Sequence, residues 1–174
     1  MAIQAVLTGS PGAGKTTLLA AAGQVGMSTS PEVARQLLQE PGGMELRAKD
    51  PLGFAEAMAE AHRREFERLA EVRGPVVFDR GLPDVVGFLE VSGLTVPETI
   101  HRACREIRYS GPVLRAPAWQ DIYVQDAERI QDWHEAVASD EAVSAAWTRY
   151  GYDLTPLPLA SVEQRLAFLI ELLH

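Results

Sequence analysis

Residues 9–16 read Gly-Ser-Pro-Gly-Ala-Gly-Lys-Thr, a full match to G-x-x-x-x-G-K-[ST]. They follow a short apolar run, Ile3 to Leu7, with the length of a buried strand. A helical pattern starts near Gly14 and continues through Leu18 and Leu19 to Ala22. This strand–loop–helix setting is what the motif's chemistry requires. Small residues let the backbone curl until consecutive N–H groups face a polyphosphate. Lys15 is placed to reach the β and γ phosphates and the Thr16 hydroxyl to bind Mg²⁺, while the helix N-terminus adds positive potential. Gly9, Ser10, Pro11, Gly12, Ala13, Gly14, Lys15, Thr16 and Thr17 are therefore expected to hold ATP or GTP with Mg²⁺.

The rest of the chain alternates short strands with helices. Val25 to Thr29 reads as a second strand. Ser30-Pro31-Glu32 reads as an N-cap, a proline and an acidic first turn, opening a helix that ends before Pro41. Asp50-Pro51 opens a longer helix to about Val72, with Phe54, Met58, Ala61 and Leu69 near one face. Val76 to Phe78 forms a strand ending at Asp79. Short helices are expected at Pro83–Val91 and Pro97–Arg108, and a fourth strand at Gly111–Leu114. Helices at Asp126–Ala138 and Asp140–Tyr150, a last strand at Asp153–Leu157 and a helix at Ser161–Leu173 complete the series. The pattern implies an α/β fold, a parallel sheet covered on both faces, in one domain spanning 1–174. Such sheets bind ligands beyond the carboxyl ends of their strands.

Composition narrows the function. A net charge of −8 over 174 residues argues against a nucleic-acid partner, and no apolar stretch is long enough for a membrane span. The single cysteine, Cys104, allows no intrachain disulfide, and no signal peptide is evident, so a cytoplasmic location is expected. The chain contains no asparagine, so the N-K-x-D base reader of GTPase switches cannot exist here. Asp84-Val85-Val86-Gly87 fits the D-x-x-G of those switches but falls inside an expected helix, and is read as coincidence. A motor-type ATPase would end its third strand Asp-Glu, whereas this chain has Asp79-Arg80.

An Asp-Arg pair at a strand end suits phosphoryl transfer to a bound acceptor. Asp79 can accept the acceptor's proton or hold Mg²⁺ through water, and Arg80 can clamp a phosphate oxygen in its planar fork. A purely structural ion pair is the simpler alternative. Thr8 to Thr17, Pro31-Glu32-Val33-Ala34-Arg35, Phe78 to Asp84, Arg108-Tyr109, Pro117-Ala118-Trp119, Tyr123 to Arg129, Gly151-Tyr152 and Leu157 to Arg165 carry a further signal. Through these residues the chain resembles the small P-loop AAA-domain family of predicted ATPases and kinases, related to the nicotinamide riboside kinase domain of the bacterial NAD regulator. It departs from that pattern at Ala118, where a second proline is common. The resemblance implies a P-loop NTPase fold of the nucleoside/nucleotide-kinase kind. Its five-stranded parallel sheet has order 2-3-1-4-5, with a helical lid after strand four at about 117–138.

By the same resemblance Glu32 binds acceptor hydroxyls, with Arg35 one turn along; the bland reading is that Glu32 caps its helix. Arg129 falls in the expected lid, where an arginine can stabilise charge on the transferring phosphoryl group; Arg105 and Arg108 are weaker candidates. Trp119, Tyr123 and Trp133 cluster near this lid, and Leu157 to Ser161 would border the adenine. Catalysis is thus assigned to Lys15, Asp79, Arg80 and Arg129, acceptor binding to Glu32, Arg35 and Asp79, and metal binding to Thr16 and Asp79. The leading expectation is an ATP- and Mg²⁺-dependent kinase of a small hydroxyl-bearing metabolite, possible as a homodimer. The alternative is a nucleotide-binding regulatory protein with slow ATP or GTP hydrolysis.

Overall fold

The computed structural model describes residues 3–122 and 132–174. Five strands, β1 (Gln4–Gly9), β2 (Ser28–Thr29), β3 (Val76–Asp79), β4 (Val113–Ala116) and β5 (Leu154–Pro156), form one parallel sheet of order β2-β3-β1-β4-β5. The expected order is therefore realised. Eight helices connect and cover the strands: α1 (Lys15–Gln24), α2 (Val33–Gln39), α3 (Gly43–Lys49), α4 (Pro51–Leu69), α5 (Leu82–Val91), α6 (Glu98–Glu106), α7 (Trp133–Arg149) and α8 (Val162–Leu172). None among the described residues is long and apolar enough to cross a membrane.

Strand alternation divides the core. Ala5 and Leu7 point with Val77 and Leu114 toward Leu18 of α1 and Leu169 of α8. Val6, Val76, Phe78 and Val113 point the other way, toward Leu69 of α4 and the fully buried Trp147 of α7. On that second face Tyr109 sits among Phe66, Phe78, Trp147 and Tyr152, with ring centroids 5.2–6.5 Å away. Aromatic pairs at these separations add to the area they bury.

Several local expectations differ from the structure. Ser30 does not cap α2; its hydroxyl accepts from the Asp79 N–H at 2.9 Å, so the helix begins only at Val33. The second strand is confined to Ser28–Thr29. Pro41-Gly42-Gly43, read only as a break, is a corner from which α3 starts at once. Gly43 is required there because a Cβ would lie 1.8 Å from the Leu37 carbonyl oxygen. Asp140 does not start a new helix. Its buried carboxylate accepts from Arg115 Nε at 3.0 Å and from a terminal guanidinium nitrogen at 2.6 Å, and α7 runs through it. Within the expected lid the structure gives a short 3₁₀ turn at Gln120–Ile122 and the start of α7. Tyr123 and Arg129 lie outside the described residues.

Candidate active site

The carboxyl ends of β1 and β3 build the site. Gly9 ends β1 at φ 113°, so close to β4 that a Cβ would stand 2.2 Å from the Ala116 carbonyl oxygen. That approach is what turns the chain into the loop over residues 10–14. Lys15 opens α1 and is 5% exposed, its ammonium donating to the Ser10 carbonyl. Burial, and next the Arg80 charge, lower its affinity for its proton, while Asp79, Glu32 and Asp84 oppose that. A polyphosphate would supply the negative charge that this ammonium needs.

Asp79 ends β3 at 3% exposure, and its Oδ1 is buried without a hydrogen-bond partner among the described residues. Burial and then Glu32 raise its pKa, against the pull of Lys15 and Arg80. An orphaned carboxylate oxygen at a phosphate loop, with the Thr16 hydroxyl on the neighbouring cavity wall, is a donor set that fits Mg²⁺.

Arg80 follows in the left-handed region at φ 67°, the sole non-glycine residue with positive φ among the described residues. This backbone costs about 1–2 kcal/mol and persists because its surroundings fix it. The N–H of Arg80 donates to the Leu7 carbonyl at 2.9 Å. Its guanidinium donates to the Gly9 carbonyl at 2.9 Å and to Asp84 Oδ1 at 3.1 Å, with Nε 3.7 Å from Glu32 Oε1. Burial opposes its charge, but Glu32, Asp84 and Asp79 outweigh that and raise its pKa.

Asp84-Val85-Val86-Gly87 lies inside α5, as expected, so its match to a switch motif is coincidental, but Asp84 itself has a structural role. As the third residue of α5 it accepts from the Thr8 hydroxyl (2.6 Å), Arg80 (3.1 Å), the Gly81 N–H (3.0 Å) and the Trp147 indole (2.9 Å). It ties β1, β3, α5 and α7 together beneath the site. The sequence signal for this role was an acidic residue in the first turn of the expected helix, a position that favours a carboxylate.

Glu32 occupies the N-cap position of α2 yet makes no side-chain cap bond. The simple capping reading fails, and the carboxylate instead lies 3.8 Å from Arg35 and 3.7 Å from Arg80. Arg105 and Arg108 stand at the amino end of β4, away from the phosphate loop. Arg105 pairs with Glu98, and Arg108 donates to the Tyr150 carbonyl at 2.7 Å, so neither serves as a lid arginine. Arg165 of α8, which had no role in the reading of the sequence, donates to the Ala13 carbonyl at 2.7 Å and to the Pro158 carbonyl at 2.8 Å. Its guanidinium carbon lies 5.0 Å from the Trp119 ring centroid.

One cavity of about 420 Å³ joins these groups. It runs from Pro11, Gly12, Gly14, Lys15 and Thr16 past Glu32, Arg35, Arg80 and Asp84 into an apolar chamber of Leu38, Phe54, Met58, Val85, Phe88 and Val143. His62 lines the chamber too, held neutral by burial that lowers its pKa to about 4. Asp79 is not among the residues that line the cavity.

Fold and site together define a P-loop NTPase of the nucleoside/nucleotide-kinase architecture. More particularly, the chain belongs to an AAA domain family, whose model matches residues 4–165. Among solved structures it is similar to deoxyadenosine kinase from M. mycoides with bound dATP, at TM-score 0.74 and 12% identity over 97% of each chain. The NadR protein in complex with NR is similar at TM-score 0.73 and 16% identity, over 98% of this chain and 49% of that one. Thymidylate kinase from Candida albicans gives TM-score 0.70 and 10% identity over 98% and 90%. At these identities the likeness is one of fold. No curated protein matches the chain in sequence.

Proposed function

We propose that the protein transfers the γ-phosphoryl group of ATP or GTP to a hydroxyl of a small, nucleoside-like metabolite. The observation that carries this reading is the continuous cavity, in which Arg80 spans the phosphate loop and the Glu32 carboxylate. A hydrolase needs room for a water; this chamber has the volume and apolar lining of a small-molecule site.

In the proposed reaction the acceptor hydroxyl donates its hydrogen bond to Glu32, which takes the proton as the acceptor oxygen bonds to the γ phosphorus. The bond from that phosphorus to the β–γ bridging oxygen breaks, and the nucleoside diphosphate leaves. Glu32 suits this role better than Asp79 because it faces the cavity. Lys15 and Arg80 stand where charge develops on the transferring group, and loop N–H groups hold the polyphosphate. Mg²⁺, held by Thr16 with Asp79, would neutralise phosphate charge when bound. Positioning supplies most of the remaining rate, since little covalent chemistry falls to the protein. Arg129 is proposed to close on the phosphoryl group from the lid.

The test is nucleotide consumption measured against a panel of nucleosides, sugars, aminoglycosides and simpler alcohols. Stimulation by one class, lost in Glu32→Gln with nucleotide affinity kept, is the expected result. Basal hydrolysis that no acceptor changes, with tight nucleotide binding, would overturn it in favour of a regulatory protein.

A further inference from the structure

We infer that Arg47 reads the end of the acceptor remote from the reacting hydroxyl, and that the acceptor is a neutral nucleoside whose base carries a ring carbonyl. This rests on the kinase reading and narrows it.

Three of the four cations lining the cavity are already engaged within the protein. Lys15 donates to the Ser10 carbonyl, Arg35 lies 3.8 Å from Glu32, and Arg80 is held by Gly9, Asp84 and Glu32. Arg47 differs. Half-buried on α3, it has no hydrogen bond and no carboxylate within 4.0 Å among the described residues. Its guanidinium carbon instead lies 5.8 Å from the centroid of Phe88, and burial lowers its pKa. Phe88 meets Phe54 edge-on at 5.7 Å and 63°, forming an aromatic wall beside it.

A planar fork of N–H donors at the end of an apolar aromatic chamber lacks one thing, an acceptor edge from the ligand. Three ligand chemistries compete for that place. An anionic group would pair with Arg47, but Glu135 lines the same cavity, is the carboxylate that most influences Arg47, and would repel it. A polycationic acceptor such as an aminoglycoside would meet Arg35, Arg47 and Arg80 together. A neutral heteroaromatic ring satisfies all of the lining: its face packs on Phe88 and Phe54, and a ring carbonyl oxygen, joined by N7 in guanine and hypoxanthine and by N3 in cytosine, accepts from the guanidinium. Guanine, hypoxanthine and the pyrimidines present a ring carbonyl. Adenine presents an amino group at the corresponding edge, N–H against N–H, which such a fork disfavours by about tenfold or more.

The experiment is steady-state phosphoryl transfer from ATP to guanosine, inosine, uridine, cytidine, thymidine and adenosine, in ribo and deoxy forms where they exist. The full chain is compared with Arg47→Met and Arg47→Lys. Wild type is expected to favour at least one oxo-base nucleoside over adenosine by tenfold or more in kcat/KM. Arg47→Met should raise KM for that nucleoside by tenfold or more with kcat within threefold, leaving KM for adenosine within threefold. Arg47→Lys, which keeps the charge but not the fork, should recover only part of the loss. An unchanged KM, or a fall in kcat shared by every acceptor, would overturn the role of Arg47 while leaving the kinase reading intact. Transfer confined to acceptors without a heteroaromatic ring would overturn the substrate class. Absence of transfer to every alcohol in the wider panel would overturn the kinase reading itself.

Discussion

Arg80 and Glu32, from the ends of neighbouring strands, stand 3.7 Å apart, while the same guanidinium holds the carbonyl of Gly9. The phosphate loop and the Glu32 carboxylate are thus positioned by one side chain. Arg80→Lys cannot reproduce both contacts, because a lysine offers a point charge and no fork. The expected result is a fall in kcat of on the order of 10²-fold or more, with nucleotide affinity within threefold. Rapid-quench kinetics and equilibrium binding of a fluorescent ATP analogue check the two halves.

Asp79→Asn removes the carboxylate whose buried Oδ1 has no partner among the described residues. If that oxygen serves the metal, the substitution raises the Mg²⁺ concentration needed for half-maximal turnover by roughly tenfold or more. It also relieves a buried charge, so the metal-free protein should melt no lower than wild type. A Mg²⁺ titration alongside a thermal melt separates these outcomes; an unchanged metal requirement would refute the assignment.

Asp84→Asn is expected to act on stability. An amide cannot accept from Thr8, Arg80, Gly81 and Trp147 at once, so at least one buried donor loses its partner and Arg80 its counter-charge. The expected loss is roughly 3 kcal/mol in urea unfolding. The Trp147 near-ultraviolet signal should change with it.

His62 gives an acid dependence with a definite sign. Its pKa is about 4 in the folded chain against 6.5 for the free group, because burial disfavours the imidazolium. As pH falls, the unfolded chain takes up the proton first. The stabilisation is complete above pH 6.5 and is lost as pH falls toward 4, by at most about 3 kcal/mol. His62→Gln removes this titration. Melting curves of both proteins between pH 4 and 7 should show wild type losing more stability on acidification, and parallel curves would contradict the burial argument.

The sheet, its strand order and the phosphate loop were legible because each rests on local signals: short apolar runs, Gly-x-x-x-x-Gly-Lys-Thr and the Asp79-Arg80 strand end. The apolar chamber was not, since Leu38, Phe54 and Phe88 meet only through the packing of α2, α4 and α5, and the periodicity of each helix says merely that it has an inner face. Asp140 was misread, and the contacts of Asp84 were missed, for a related reason. An aspartate in a helical pattern suggests a cap, but Asp140 is held by Arg115 across 25 positions, and Asp84, besides its local bonds to Arg80 and Gly81, is held by Thr8 and Trp147 from distant segments that no local window contains. Glu32 shows the opposite: its place at the start of α2 was expected, and its carboxylate turns from the helix end toward Arg35 and Arg80.

Arg165→Met should loosen the phosphate loop. It leaves the Ala13 and Pro158 carbonyls without their charged donor, costing about 2–4 kcal/mol in stability, and should weaken nucleotide binding roughly tenfold. Calorimetric titration with a non-hydrolysable ATP analogue, beside a urea melt, measures both.

That bond crosses 152 positions of sequence. During synthesis the Gly9–Thr16 segment emerges early, with its strand and helix signals complete, yet the donor that fixes its curl is made only after β5. A nascent chain therefore exposes a nucleotide loop with its sequence finished and its geometry open. The loop is fixed only once Arg165 of α8 reaches the Ala13 carbonyl, so a chain cut before α8 is expected to bind nucleotide more weakly than the full chain.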